Sequence, residues 1–338
     1  MQLYNSRISG LGYFLPDNVV TNDDLTKIMD TSDEWIQERT GILERRWVVP
    51  GSGETTSSMG VKAAKVAIDR AGIDKNDIDF IIFATLSPDY YFPGPGVLVQ
   101  RELGIKTVGA LDIRNQCSGF VYALSIADQY IKTGMYKNIL VIGSELHSHG
   151  LDKTTRGRGV SVIFGDGAGA AVVSREENNT KGILSTHLHS EGQHAEELSL
   201  IAPGMGKRWV NDILADNNPD DESYFPYMNG QFVFKNAVVR FAEVINEGLV
   251  KNNLTKDNID LLIPHQANLR ISQFVQRQFR LEDHQVYNNI MNYGNTTAAS
   301  VPIALTEAWE QGKVKEGDLV VLAAFGSGFT WASAIIRW

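Results

Sequence analysis

Cysteine is almost absent: Cys117 is the only one in 338 residues. An internal disulfide is excluded, and with nothing forcing export the chain reads as a protein of the reducing cytoplasm. Long apolar runs are missing too, none approaching the ~20 residues a membrane helix needs. The opening Met1-Gln-Leu-Tyr-Asn-Ser-Arg7 has neither the basic start nor the apolar stretch of a signal peptide. Basic charge is scarce. With 31 Lys and Arg against 40 Asp and Glu the formal charge is −9, which argues against general nucleic-acid binding. What is present, 43% hydrophobic and 21% charged residues, describes a globular chain long enough for two domains or two halves of one.

The single cysteine sits in Arg114-Asn-Gln-Cys117-Ser-Gly-Phe-Val-Tyr-Ala-Leu-Ser125. Upstream, Val108 to Ile113 reads as a short buried strand; downstream, Val121, Leu124, Ser125 and Asp128 begin a helical pattern that stops at Gly134. Cys117 therefore falls where a strand turns into a helix, and unpaired N–H groups with the helix dipole favour a thiolate there. The same position also suits a small packing residue. The rest of the chain decides.

Strands and helices alternate along the chain, which argues for a layered α/β fold. Ile8–Leu15 and Asp79–Thr85 read as strands, Thr21–Asp24 caps a short helix, and Ser57–Ala71 is an amphipathic helix closed by Gly72. A second capped helix, from Asp30 to Gly41, carries Trp35 and Arg39 one turn apart. The pattern then restarts. Asp74-Lys-Asn-Asp-Ile-Asp-Phe-Ile-Ile82 is echoed by Thr255-Lys-Asp-Asn-Ile-Asp-Leu-Leu-Ile263, and Lys137–Ile142 by Gly317–Leu322, both about 180 residues on. Gly165–Val173 is echoed by Gly326–Ile336 at a shorter offset of about 160. In the second half the counterpart of the cysteine helix is Tyr293–Leu305, which makes Asn295 the mirror of Cys117. His265 follows the strand Asp260–Ile263. Ligand sites of parallel sheets gather at the carboxyl ends of strands, so a thiol, an imidazole and a carboxamide can converge on one pocket. Together they point to nucleophilic acyl chemistry.

Six segments then act jointly: Asp30-Thr-Ser-Asp-Glu-Trp-Ile36, Cys117-Ser-Gly-Phe120, Phe164-Gly-Asp-Gly-Ala-Gly-Ala170, Pro264-His-Gln-Ala-Asn-Leu-Arg-Ile271, Gly294-Asn-Thr-Thr-Ala-Ala-Ser300 and Gly326-Ser-Gly-Phe-Thr-Trp331. Over nearly its whole length the chain resembles the thiolase-fold condensing enzymes, and within them the β-ketoacyl-acyl-carrier-protein synthase III family. The resemblance implies an α/β, thiolase-like fold of two duplicated halves packed as αβαβα, residues 1–175 carrying the nucleophile and 176–338 the His and Asn. It implies a ping-pong reaction with acyl-CoA and malonyl-acyl carrier protein as substrates and no cofactor or metal. Cys117 takes the acyl group, and His265 with Asn295 receives the enolate left by decarboxylation, as two positioned neutral donors can. The N–H groups of Cys117 and Gly326 form the oxyanion hole in this reading.

By the same resemblance Trp35 and Arg39 meet the CoA adenine and phosphate, joined by Arg156 or Arg158, and Asn268 meets the pantetheine arm. Arg270 and Arg277, one heptad apart, with Lys235, form a basic patch for an acidic carrier protein. Phe92, in Tyr90-Tyr-Phe-Pro-Gly-Pro95, crosses a homodimer interface to cap the partner's acyl tunnel. The same triad also serves relatives that make alkylquinolones, resorcinols or olefin precursors. Departures from the family fall near the acyl pocket: Arg114-Asn-Gln before the cysteine, Ser327 in place of a glycine, and a long Leu200–Tyr224 segment with Pro203 and Trp209. They point to a medium-chain acyl donor or a specialised pathway.

Two other motifs carry weaker readings. Gly165-Asp-Gly-Ala-Gly-Ala170 fits a dinucleotide pattern after a strand, Val160–Phe164, but Ala171-Val-Val-Ser continues as strand, so it reads as a close backbone crossing. His147-Ser-His149 and His187-Leu-His189 have no third metal ligand at convincing spacing.

Overall fold

A computed structural model of the chain describes residues 4–178, 180–204, 206, 215, 218 and 221–338. Strands β1 (Asn5–Phe14), β2 (Phe80–Ala84), β3 (Gly109–Ile113), β4 (Asn138–Glu145) and β5 (Gly167–Glu176) form one sheet in the order β1-β5-β4-β2-β3. A second sheet, in the order β7-β8-β9-β6, takes β6 (Gly182–Ser190), β7 (Leu261–Pro264), β8 (Leu319–Gly326) and β9 (Thr330–Arg337). The longer helices are α1 (Asp33–Thr40), α2 (Thr56–Ala71), α3 (Pro95–Leu103), α4 (Gly119–Lys132), α5 (Gly230–Lys251), α6 (Leu269–Phe279) and α7 (Ser300–Glu310).

The layering follows from strand alternation, because successive side chains leave opposite faces of a sheet. Ile82, Ile139, Val141, Val320 and Leu322 point to a shared interior filled by α4 and α7. Their neighbours Ile81, Phe83, Leu140 and Ile142 face outward onto α2 and α3, and Leu319, Val321 and Ala323 onto α5 and α6. Both sheets are thus covered on both faces, and five layers result.

The two sheets repeat each other in detail. β2 pairs in parallel with β4 and β3; β7 pairs in parallel with β8, and Leu262 bridges Val286 where a third strand would lie. Asp79 Oδ2 accepts from Asn138 N–H at the base of one sheet, and Asp260 Oδ2 from Leu319 N–H at the base of the other. Glu145 faces Gly167 across the β4–β5 pair as Gly326 faces Thr330 across β8–β9. The counterpart of Gly326 is therefore Glu145, while the third echo keeps its shorter offset, Gly167 opening β5 where Thr330 opens β9.

Two further local expectations change. Residues Val160–Phe164 are not a strand: Arg158–Ser161 is a single helical turn, and Phe164 makes only an isolated bridge to Asn295. The mirror of Cys117 is Ala298. Each helix start is preceded by a tight turn, Gln116–Ser118 before α4 and Thr297–Ala299 before α7, whose first residue has positive φ (43° at Gln116, 49° at Thr297). Asn295 precedes the second turn. Among the described residues no helix is long and apolar enough to cross a membrane.

Candidate active site

Cys117 is buried at the start of α4, where the sequence places it. Burial works against the thiolate expected from the helix terminus. Burial, and then the carboxylate of Glu145, push the thiol up to about 12; its own N–H, the Ser327 N–H and the Thr297 hydroxyl pull the other way. Helix termini contribute ~1–2 kcal/mol, whereas a rise of this size is ~4 kcal/mol, so depth outweighs dipole. Gly326 lies directly against the sulfur: a Cβ there would sit 2.6 Å from Cys117 Cβ and 2.9 Å from Sγ. Only glycine fits.

His265 leaves the end of β7 fully buried, its N–H donating to the Ala323 carbonyl at 2.7 Å. Its Nδ1 lies 2.5 Å from Ser300 Oγ, at the first residue of α7. The Gln266 N–H also points at Ser300 Oγ (3.4 Å), so the Ser300 hydroxyl proton is directed to Nδ1 and the imidazole proton belongs on Nε2. Nε2 is buried without a hydrogen-bond partner among the described residues. Burial lowers the imidazole to about 3, so charging it costs ~5 kcal/mol at neutral pH. At neutral pH the imidazole is uncharged.

Asn295 is held by its backbone. Its N–H donates to Ile163 O (2.8 Å) and its carbonyl accepts from Gly165 N–H (3.0 Å). Gly165 permits this crossing, since a Cβ would stand 2.2 Å from Tyr293 O. The side-chain oxygen accepts from Thr297 N–H at 2.8 Å. That bond sets the amide, and Nδ2 has no partner among the described residues. Asn295 and His265 thus each present an N–H donor with no acceptor among the described residues.

Cys117, His265 and Asn295 line one cavity of about 720 Å³ that also reaches the exposed Arg39, Lys235 and Arg270. It therefore connects the surface to the buried thiol. At its outer end the Trp35 ring has the Arg39 guanidinium 4.4 Å and the Arg158 guanidinium 5.4 Å from its centroid. Arg156 instead bonds Asp152 at 2.6 Å and packs on Phe225, beside a second, smaller cavity. Asn268 lines the main cavity, but its amide also caps α6 through Arg270 N–H and ties that helix to the Arg39 carbonyl. Arg277 is exposed on α6, and Phe92, 79% exposed beside Tyr90 and Tyr91, lies away from this cavity in its own chain.

Of the other histidines, His187 and His189 both bond Glu247, and His149 is exposed. Trp209 and much of the Leu200–Tyr224 segment lie outside the described residues. Sequence reasoning missed Ser300, Thr297 and Glu145. The first two belong to the Gly294–Ser300 motif and were open to notice; Glu145 is one carboxylate among many until its burial is known.

Family models match residues 111–192, described as 3-oxoacyl-[acyl-carrier-protein (ACP)] synthase III, and residues 249–338, described as its C terminal. A β-ketoacyl-[acyl-carrier-protein] synthase III 1 of Vibrio vulnificus (strain YJ016) is 46% identical over 332 residues, 98% of this chain and 99% of the relative. The crystal structure of 3-oxoacyl-[acyl-carrier-protein] synthase III from Aquifex aeolicus VF5 aligns with a TM-score of 0.89 at 44% identity, covering 98% of this chain and 100% of that one. The Thermus thermophilus synthase III structure aligns with a TM-score of 0.87 at 37% identity, over 98% and 99%. The fold is the thiolase-like one, and the chain belongs to the β-ketoacyl-acyl-carrier-protein synthase III family.

Proposed function

We propose that this condensing enzyme carries an acyl group on Cys117 and joins it to a malonyl unit held on acyl carrier protein, forming β-ketoacyl-carrier protein and CO₂. Cys117 sulfur attacks the acyl-CoA thioester, the oxyanion accepts from the N–H groups of Cys117 and Gly326, and CoA leaves with the thiol proton. Malonyl-carrier protein then enters the same cavity and loses CO₂. The enolate oxygen accepts from His265 Nε2–H and Asn295 Nδ2–H, and its carbon attacks the Cys117 thioester. The departing sulfur takes up a proton, its resting state at a pKa of about 12.

The observation that carries this reading is that His265 Nε2 is buried without a hydrogen-bond partner among the described residues, in a residue that lines the Cys117 cavity together with Asn295, whose Oδ1 is taken by Thr297 N–H. Neutral donors suit an enolate that must form and then react, because they stabilise charge without becoming acids. Neither role needs a cofactor. Trp35, Arg39 and Arg158 are assigned to stack on an adenine and meet phosphate; the Arg39 and Arg158 guanidinium groups at the Trp35 ring support this, and favour Arg158 over Arg156. Asn268 lies along the route of a pantetheine arm. Exposed Lys235, Arg270 and Arg277 suit an acidic carrier protein. We assign the halves as 1–175 and 176–338, and Phe92 to a homodimer contact; its exposure supports that assignment.

Intact-protein mass after incubation with acyl-CoAs from acetyl to dodecanoyl tests the first step, with Cys117→Ala as control. An adduct that depends on Cys117, cleared by malonyl-carrier protein with release of CO₂, is the expected result. The preferred length reports the donor. No adduct with any donor would overturn the assignment.

A further inference from the structure

His147 has no part in the reaction just described, yet it is buried in direct hydrogen-bond contact with Thr297, a residue that acts on the nucleophile's thiol. Its Nε2 lies 2.6 Å from Thr297 Oγ1, and the Thr297 hydroxyl is among the groups that draw the Cys117 thiol pKa down against burial. The arrangement is braced at each end. Asp166 accepts from the backbone N–H groups of His147 (2.7 Å) and Ser148 (2.9 Å), fixing the loop after β4, while the His147 ring lies over Phe164 with centroids 4.7 Å apart. Thr297 is β-branched and still held at φ 49°, a conformation such residues rarely adopt, and its N–H is tied to Asn295. Strain at this residue aims its hydroxyl at the thiol.

We propose that His147 is a positioning residue for Cys117, acting through Thr297: imidazole Nε2–H donates to Thr297 Oγ1, which turns the hydroxyl proton onto Cys117 sulfur. This rests on the reading of Cys117 as the acyl carrier. It is the polarity of the chain that offers a sulfur anion a donor. The opposite polarity, thiol to hydroxyl to a neutral Nε2, leaves a sulfur anion without this donor, and passing the thiol proton along it would charge an imidazole that burial lowers to about 3. During acyl transfer the sulfur lone pair forms the new C–S bond, the CoA sulfur leaves with the old bonding pair, and the thiol proton ends on CoA. Thr297 and His147 neither gain nor lose a proton.

The hydrogen bond is needed because the thiol is otherwise disfavoured as an anion. Glu145 faces it from the end of β4, and His265 across the cavity is neutral and brings no positive charge. A hydroxyl donating to an anion is worth about tenfold in the thiolate fraction.

Cys117 alkylation by iodoacetamide, measured from neutral to mildly alkaline pH, tests this without any acyl substrate, so its outcome is separate from that of the proposed reaction. His147→Phe keeps a ring on Phe164 and removes the donor; Thr297→Val keeps the shape and removes the hydroxyl. Each should slow alkylation about tenfold at a given pH, and the double variant no further, because His147 acts through Thr297. His147→Gln and Thr297→Ser, which restore a donor and a hydroxyl, should stay near the wild-type rate. Near-UV circular dichroism confirms folding, and if His147→Phe does not fold, Thr297→Val decides. Unchanged alkylation in Thr297→Val, faster alkylation in His147→Phe, or additive losses in the double variant overturns the proposal.

Discussion

Ser300 Oγ and His265 Nδ1 stand 2.5 Å apart, and that contact decides which imidazole nitrogen faces the cavity. Without it the ring is free to carry its proton on Nδ1 and to present a lone pair, not a donor, to an enolate. Ser300→Ala should therefore lower the condensation rate about tenfold, the worth of one hydrogen bond. Acylation of Cys117, followed by mass, should stay within about twofold, since that step uses other donors. Equal losses in both steps would remove His265 from the enolate role.

Asn295→Asp tests the second donor with little change of shape. An aspartate oxygen can still accept from Thr297 N–H, as Asn295 Oδ1 does at 2.8 Å. The group turned to the cavity becomes an acceptor bearing negative charge, against an enolate oxygen of the same sign. Loss of one such donor costs about 10²–10³ in rate, and repulsion adds to it. Condensation of a pre-formed acyl-enzyme should fall by at least this factor while the acyl adduct still accumulates. A variant that condenses normally would contradict the assignment.

At the cavity mouth the two arginines left open by sequence should separate. Arg158 lies over the Trp35 ring, whereas Arg156 bonds Asp152. Trp35→Ala and Arg158→Ala should each raise KM for acyl-CoA about tenfold, the worth of a base stacked on an aromatic or a cation, with kcat little changed. Arg156→Ala should leave KM near wild type. With an acyl-pantetheine donor, which lacks the adenine, the effects of Trp35→Ala and Arg158→Ala should vanish.

That Cys117, His265 and Asn295 would meet in one cavity was legible because each lies in a short motif beside a strand end or helix start: Cys117 after β3, His265 after β7, Asn295 before α7. What depends on depth was not. The thiol's raised pKa comes from burial and from Glu145, neither visible in a window around Cys117. Register was also misjudged, since Asn295 resembles a cap residue while the true mirror of Cys117, Ala298, carries no functional group. The two positive-φ residues that mark the register, Gln116 and Thr297, are not glycines and give no local sign. The histidine motif His147-Ser-His149 read as a failed metal site; only the fold brings its first member to Thr297.

Glu145 carries the pH prediction. It is fully buried, and although Ser87, Leu86, Thr85 and Ala298 donate to it, burial wins and raises its carboxyl to about 7. A carboxyl raised on folding binds its proton more tightly in the folded state, so its ionisation subtracts stability above the folded value. That cost, ~3 kcal/mol at about pH 8, fades as pH falls through 7 toward the ordinary 4.5. Glu145→Gln removes the charge and keeps one oxygen acceptor, so denaturant unfolding should find it more stable than wild type at about pH 8. Near pH 5 the advantage should shrink or reverse, because the wild-type carboxyl is then neutral and the amide has one acceptor fewer. The same substitution takes a negative charge from behind Cys117, so its alkylation at about pH 8 should quicken. A stability difference that does not change with pH would mean that Glu145 keeps its ordinary pKa, and the charge facing the thiol would then be present throughout the working range.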